Sequence, residues 1–162
     1  MEDFAVIWVS FRSTIKHITM YTGILHLHSG LAYLVLLGLI VCGVYAMVGA
    51  LSGRDFTDKD RKFGLIGLIP THLQFLFAII LYFISPLGFS NLSGETMGDS
   101  MARLYAVEHP LINIIAVALI TIGYSRAKKL TDSRAKFRSM YLFYGIGFIL
   151  ILSRIPWTTW LN

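Results

Sequence analysis

Residues 21–51 read YTGILHLHSGLAYLVLLGLIVCGVYAMVGAL and contain no aspartate, glutamate, lysine or arginine. The run is longer than the roughly 20 apolar residues that a helix needs to cross the hydrocarbon core of a bilayer. It also carries two histidines, His26 and His28. An ionisable side chain inside a membrane is costly unless a partner satisfies it, so such residues often mark functional sites. The stretch therefore predicts a membrane-spanning helix that carries a candidate site.

Three further apolar runs follow, at 63–86, at about 104–124, and from 140 to 157 or 160. Of all 162 residues 56% are hydrophobic and 14% are charged, which is too apolar for a soluble domain of this size. Because lipid offers the backbone no hydrogen-bond partners, the four runs predict an all-α integral membrane protein in contact with lipid. The expected architecture is an up-down-up-down four-helix bundle over residues 21–162.

The first 20 residues are expected to form an amphipathic helix at the outer membrane surface. Its apolar residues recur at helical spacing, with polar residues on the other side. The apolar set is Phe4, Ile7, Trp8, Phe11, Ile15 and Ile18. An extension of the first span beyond the membrane fits the same pattern equally well. Glu2 and Asp3 stand where a signal peptide has basic residues, so no cleavage is expected.

Basic residues predict the orientation of the bundle. Most of the 14 lysines and arginines lie in two loops, at 52–62 and 125–139. By the positive-inside rule these loops face the cytoplasm, and both termini lie outside it. Because the net charge of +5 flanks membrane helices, no nucleic-acid binding is expected.

The two basic loops also resemble each other. The sequence TDKDRKF at 57–63 matches TDSRAKF at 131–137, and TDKD at 57–60 and Thr131-Asp132 can each cap the helix that follows. A duplicated helical hairpin and independent capping both explain the match. A duplication would place the first and third spans diagonally opposite each other in the bundle.

That placement favours His28 and His109 as ligands of one b-type haem. Both are expected roughly 10 Å below the outer surface, at about 1.5 Å per helical residue. Two imidazoles at one level on diagonal helices can bind the haem iron from both faces, an arrangement that serves electron transfer. His26 can take the place of His28, but the two cannot face the same way on one helix. Gly23 and Gly30 lie on the face of His26 and would allow close approach there.

Two further residues are candidates for the haem site. His72 is expected about 10 Å deeper than the other pair, where it can orient the haem, relay protons or belong to another site. The irregularity that Pro70 introduces into its helix can also bring His72 level with His28. Arg154 can pair with haem propionates or a quinone carbonyl, or can simply extend to the membrane surface.

A divalent metal site is the alternative to haem. Glu108 adjoins His109, and carboxylate with imidazole suits zinc or copper, so the candidate ligands are His28, His72, His109 and Glu108. The one cysteine, Cys42, lies mid-span and excludes a disulfide within one chain. No nucleophile–base pair or phosphate-binding loop supports a hydrolase or a phosphotransferase, and whether the chain is a redox enzyme stays open.

Six short stretches resemble a family of small four-helix bacterial membrane proteins that are labelled cytochrome b-like. They are HLHSGL at 26–31, THLQ at 71–74, LYFISP at 81–86, VEH at 107–109, ITIGYS at 120–125 and IPW at 155–157. The resemblance covers nearly the whole chain after residue 20. It implies that His28, His72 and His109 are the histidines of the pattern, and that the chain lies in the bacterial inner membrane.

The chain departs from that family after its HSGL sequence. Family members often have Arg-Trp there, whereas this chain has Ala32-Tyr33, so the role of that arginine is absent or has moved to Arg154. The chain is more remotely similar to the CopD and HemJ group of four-helix proteins. HemJ-like proteins imply haem and porphyrinogen oxidation, but a lysine that their motif needs has no intramembrane match here.

These observations favour a cytochrome-like membrane protein that binds haem b and passes electrons between quinone and a partner, such as a respiratory complex. The first alternative is a copper- or zinc-handling or oxidase-assembly factor that uses the same histidines. The second is a structural subunit of a larger membrane complex or of a homo-oligomer. In that case Gly123, Gly145 and Gly147 would pack against a neighbour.

Overall fold

The computed structural model describes residues 2–160, without the side chains of residues 2–7, 9, 13 and 17. Throughout the described range, all regular secondary structure is helical. Four stretches of helix are long and apolar enough to cross a membrane. The chain is therefore a multi-pass membrane protein with an all-α four-helix fold, as the apolar runs predict.

The elements divide into long helices and short connecting ones. The long helices are α1 (Glu2–Leu51), α3 (Leu65–Ile84), α6 (His109–Lys129) and α7 (Ser133–Ser153). The short elements are α2 (Asp58–Phe63), a 3₁₀ turn (Phe89–Asn91), α4 (Gly94–Gly98), α5 (Ser100–Arg103), a π-helical segment (Leu104–Glu108) and α8 (Trp157–Trp160).

The long helices close into a ring of neighbours. Helix α1 packs against α3 and α7, and α6 packs against α7 and, over a smaller area, against α3. Helices α1 and α6, the first and third spans, are therefore diagonally opposite. The core between them includes Leu39, Cys42, Ile120 and Tyr144, all fully buried. The Tyr144 hydroxyl donates to the carbonyl of Gly64 at 2.8 Å, which links α7 to the start of α3.

The two ends of the bundle differ in chemistry. We call the end formed by residues 52–64 and 124–138 the basic end, and the end formed by residues 85–109 and 154–160 the histidine end. Both predicted helix caps are present at the basic end. The carboxylate of Asp60 accepts the backbone N–H of Thr57 at 2.7 Å, and that of Asp132 accepts the N–H of Ala135 at 2.6 Å. Such caps satisfy backbone donors that a helix start leaves unpaired.

Helix α1 runs without a break from Glu2 to Leu51, so residues 2–20 are continuous with the first span. The 50 residues of α1 are about 75 Å long, more than twice the hydrocarbon thickness of a bilayer. On the predicted apolar face, Phe4 and Ile7 lie outside the described side chains. The other members of that face are exposed: Trp8, Phe11, Ile15 and Ile18.

Two of the three glycines that were expected to pack against a neighbouring protein pack against another helix of this chain instead. A Cβ added to Gly123 of α6 would lie 2.3 Å from Phe143 Cβ of α7. A Cβ on Gly147 of α7 would lie 2.6 Å from Ile120 Cγ1 of α6. A Cβ on Gly145 would meet no described atom within 4 Å. The first two glycines therefore bring α6 and α7 together, and their sequence pattern gives no evidence of a partner protein.

Replacing Gly123 with alanine is expected to lower the free energy of unfolding by about 1–3 kcal/mol, because α6 and α7 must separate to admit the methyl group. Gly145→Ala is the matched control and should be neutral or slightly stabilising, since alanine is the better helix former. Thermal unfolding in detergent, followed by circular dichroism, measures both. Equal melting temperatures for the two variants would contradict the close approach.

Candidate functional site: a histidine pair across the bundle

The side chains of His28 and His109 meet at the histidine end. Their ring centroids are 6.3 Å apart and their planes make an angle of 70°. His28 lies on α1 and His109 begins α6, so the pair joins two diagonal helices. Two imidazoles that bind one metal ion from opposite sides, at about 2 Å per nitrogen, have centroids about 6 Å apart. The observed separation therefore fits a pair of opposed ligands on one metal ion.

A π-helical segment, Leu104–Glu108, precedes His109 directly. Such segments are short irregularities of helices that often occur at functional sites. Pro110, which follows His109, has no N–H to donate to the carbonyl of Ala106 four residues earlier. The hydroxyl of Tyr82 donates to that carbonyl at 3.1 Å. This contact holds α3 against the segment that positions His109.

The ring of His109 is oriented by a backbone carbonyl. Its Nδ1 lies 2.7 Å from the carbonyl oxygen of Arg154, just beyond α7. Because a carbonyl only accepts hydrogen bonds, Nδ1 carries the proton in this contact, and Nε2 of the neutral ring keeps its lone pair. Metal-binding histidines are commonly held in this way by a partner on the second nitrogen. The contact therefore leaves the lone pair of Nε2 able to bind a metal ion.

His28 brings a nitrogen without a partner into the site. Its Nδ1 is buried, and no residue in the described part of the chain hydrogen-bonds to it. A buried polar atom left unpaired costs about 1–3 kcal/mol. Such atoms are rare in folded proteins and call for an explanation, and a bound group is one.

His26 does not share the site. It lies two residues before His28 on the same helix, and its side chain is exposed on the surface of the bundle. The structure therefore brings His28, and not His26, against His109. A Cβ on Gly23 or Gly30 would meet no described atom within 4 Å, so no other helix of the described chain approaches closely there.

His72 lies at a different depth from the pair. Its Nδ1 is 2.9 Å from the carbonyl of Leu68, and its Nε2 is 3.2 Å from the hydroxyl of Thr121 on α6. Thr121 follows His109 by more than three helical turns, so His72 is roughly 18 Å from the level of the pair. Pro70 therefore does not bring His72 level with His28, and the three histidines of the family pattern do not meet.

Glu108 and Arg154 form an ion pair beside the site. One carboxylate oxygen of Glu108 lies 2.8 Å from Nε of Arg103, and the other lies 3.3 Å from Nε of Arg154. Among the described residues, no three histidine, cysteine or acidic side chains come together to hold a metal ion. The predicted set of His28, His72, His109 and Glu108 is therefore not assembled around one point.

Arg103 and Tyr82 are members of the site that the sequence did not indicate. Arg103 and Glu108 are five residues apart, a spacing that an α-helix does not bring together. The π-helical segment between them has i to i+5 hydrogen bonds, which turns the two side chains to one side.

Tyr33 stacks on Trp160, with ring centroids 4.6 Å apart. This contact, which the sequence did not indicate, folds α8 over the histidine end.

No family model matches the chain, and neither does any curated protein or solved structure. The resemblance to cytochrome b-like proteins thus stays a prediction from the six short stretches. What supports a function is the geometry of the histidine pair and its surroundings.

Proposed function

We propose that the chain is a b-type cytochrome-like membrane protein in which His28 and His109 bind one haem iron. The observation that carries the proposal is the separation of 6.3 Å between the two ring centroids, on helices that face each other across the bundle. Haem iron with histidine on both faces has no open position for a substrate and serves electron transfer. Electron transfer is therefore the activity proposed here.

The surroundings of the pair suit such a group. Hydrogen bonding from Nδ1 of His109 to the Arg154 carbonyl raises the basicity of the ring and fixes its orientation. The guanidinium groups of Arg103 and Arg154 both contact one carboxylate, that of Glu108. Arginine side chains bind carboxylates well, so these two guanidinium groups can also pair with haem propionates.

The proposed setting is the bacterial inner membrane, with the basic end in the cytoplasm and the haem near the outer surface. The distribution of lysine and arginine supports this orientation. A haem at that depth can exchange electrons with quinone in the lipid and with a membrane complex at the outer face. Quinone and such a complex are therefore the proposed redox partners.

The proposal is tested by a visible spectrum of the detergent-purified full chain, produced with ample haem, before and after reduction with dithionite. We expect a b-type α band in the reduced protein, and a low-spin ferric signal in electron paramagnetic resonance, as two axial imidazoles require. A colourless protein would contradict the proposal. Stoichiometric copper or zinc in metal analysis of such a colourless protein would favour a metal-handling factor.

A further inference from the structure

A cavity of about 340 Å³ opens at the basic end of the bundle. Its walls come from the segment before α2, the first turns of α2 and α7, and the last turn of α6. The lining residues are Phe56, Thr57, Asp58, Arg61, Ala127, Lys128 and Lys136. Because these are the ends of membrane-spanning helices, the cavity lies at the depth of the lipid headgroups.

The charge in the cavity is mainly positive. Three lining side chains are basic, whereas Asp58 is the one acidic residue among those that line it. Asp58 is 3.2 Å from a terminal nitrogen of Arg61 and is largely exposed. In the described part of the chain, neither Lys128 nor Lys136 forms an ion pair with a carboxylate. The cavity therefore has uncompensated positive charge.

Aromatic rings hold the two lysines in place. The ammonium of Lys128 lies 5.3 Å from the ring centroid of Tyr124, and that of Lys136 lies 5.5 Å from the ring centroid of Phe56. Cation–π contacts of this kind are attractive but leave the ammonium protons free for further hydrogen bonds. Both side chains are thus positioned beside the cavity with donors to spare.

Arg61 contributes a donor that is already desolvated. Its Nε is buried and has no hydrogen-bond partner among the described residues. Guanidinium groups bind phosphate with two parallel hydrogen bonds, and Nε is one of the nitrogens that can take part. A phosphate oxygen in the cavity would satisfy this atom once the Arg61 side chain turns toward it.

We infer that the cavity binds the phosphate group of an anionic phospholipid headgroup. The three basic side chains supply the charge, Nε of Arg61 supplies an unused donor, and the position at the membrane edge brings headgroups to the site. Basic pockets between membrane helices are known binding sites of anionic lipids. The site is at the end of the bundle opposite to the histidine pair and does not depend on haem binding.

Native mass spectrometry of the full chain in detergent, titrated with phosphatidylglycerol, tests the inference. The double substitution Lys128→Gln with Lys136→Gln should weaken lipid binding about twenty-five-fold, at about fivefold for each lysine. The matched control is Lys129→Gln with Arg134→Gln, which removes the same charge from the basic end but leaves the cavity lining intact. The control should bind as tightly as the unmodified chain.

A third variant changes affinity in the opposite direction. Asp58→Asn removes the carboxylate that engages Arg61, so it should bind phosphatidylglycerol about fivefold more tightly. A gain for phosphatidylglycerol without a gain for phosphatidylcholine is not the result of misfolding, because exposed apolar surface would bind both lipids. For the weakened variant, elution as a single species at the position of the unmodified chain in size exclusion shows that it is folded.

Three results would overturn the inference. Equal losses in the two double variants would show a general attraction to surface charge. Equal binding of phosphatidylcholine would show that the anionic headgroup is not recognised. Displacement of phosphatidylglycerol by inorganic phosphate would assign the cavity to a soluble phosphate, whereas retention of the lipid supports the headgroup as the ligand.

Discussion

Alanine in place of either His28 or His109 is expected to abolish the α band of the reduced protein. In the proposed site both imidazoles would hold the haem iron, and their ring centroids are 6.3 Å apart. Alanine at either position leaves no side-chain nitrogen there to bind the iron. Reduced-minus-oxidised spectra and the haem content per chain, measured after purification in detergent, should both fall to background.

Two other histidines provide matched controls. His26→Ala should keep the band, because His26 is exposed on another face of α1. His72→Ala should also keep it, because the His72 ring contacts Leu68 and Thr121, far below the pair. If the His72 variant loses the band while the His28 or the His109 variant keeps it, the haem is bound by a different pair of ligands. Retention of the band in both the His28 and the His109 variant would exclude the proposed ligand pair.

The pairing of His28 with His109 could be predicted from the sequence because it depends on two things, the depth of each residue in the membrane and the placement of the first and third spans. The apolar runs fix where each span begins, and the helical rise converts position into depth. The diagonal placement of the first and third spans is also what a duplicated hairpin would give. The choice between His26 and His28 could not be made from their spacing, because it depends on how α1 is rotated toward α6.

The environment of His109 could not be predicted, and the π-helical segment explains why. Sequence patterns assume 3.6 residues per turn, whereas Leu104–Glu108 is wound with i to i+5 hydrogen bonds. Glu108 therefore turns toward Arg103 and Arg154 instead of joining a metal site. The carbonyl that orients His109 belongs to Arg154, 45 residues along the chain, and no local pattern specifies such a contact.

At the basic end, the sequence predicted the capping motif but not its tertiary contacts. Asp60 caps α2 as expected, yet it is also only 1% exposed. Tyr45 of α1 donates its hydroxyl to the carboxylate at 2.7 Å, and Arg54 contacts it at 2.6 Å. The hydrogen bond to Asp60 raises the pKa of the Arg54 guanidinium above its ordinary value, so the pair stays ionised. A surface cap is therefore also a buried junction between α1 and α2.

Asp60→Ala is accordingly expected to lower the free energy of unfolding by about 3 kcal/mol. Loss of the cap contributes about 1 kcal/mol. Loss of the hydrogen bonds that Tyr45 and Arg54 make to a charged acceptor contributes about 2 kcal/mol more. Equilibrium unfolding in mixed micelles, followed by tryptophan fluorescence, measures the change. Tyr45→Phe removes only one of these donors and should cost about 1 kcal/mol.

The matched control is Asp58→Ala, two residues away on the same short helix. Asp58 pairs with Arg61 at 3.2 Å, but its side chain is 83% exposed, and exposed ion pairs contribute at most about 1 kcal/mol. Equal destabilisation by the two substitutions would mean that burial of Asp60 adds nothing to stability. Because Asp60 is at the basic end, Asp60→Ala protein that still folds should keep the full α band. Stability at that end and haem binding at the other can thus be separated in one set of variants.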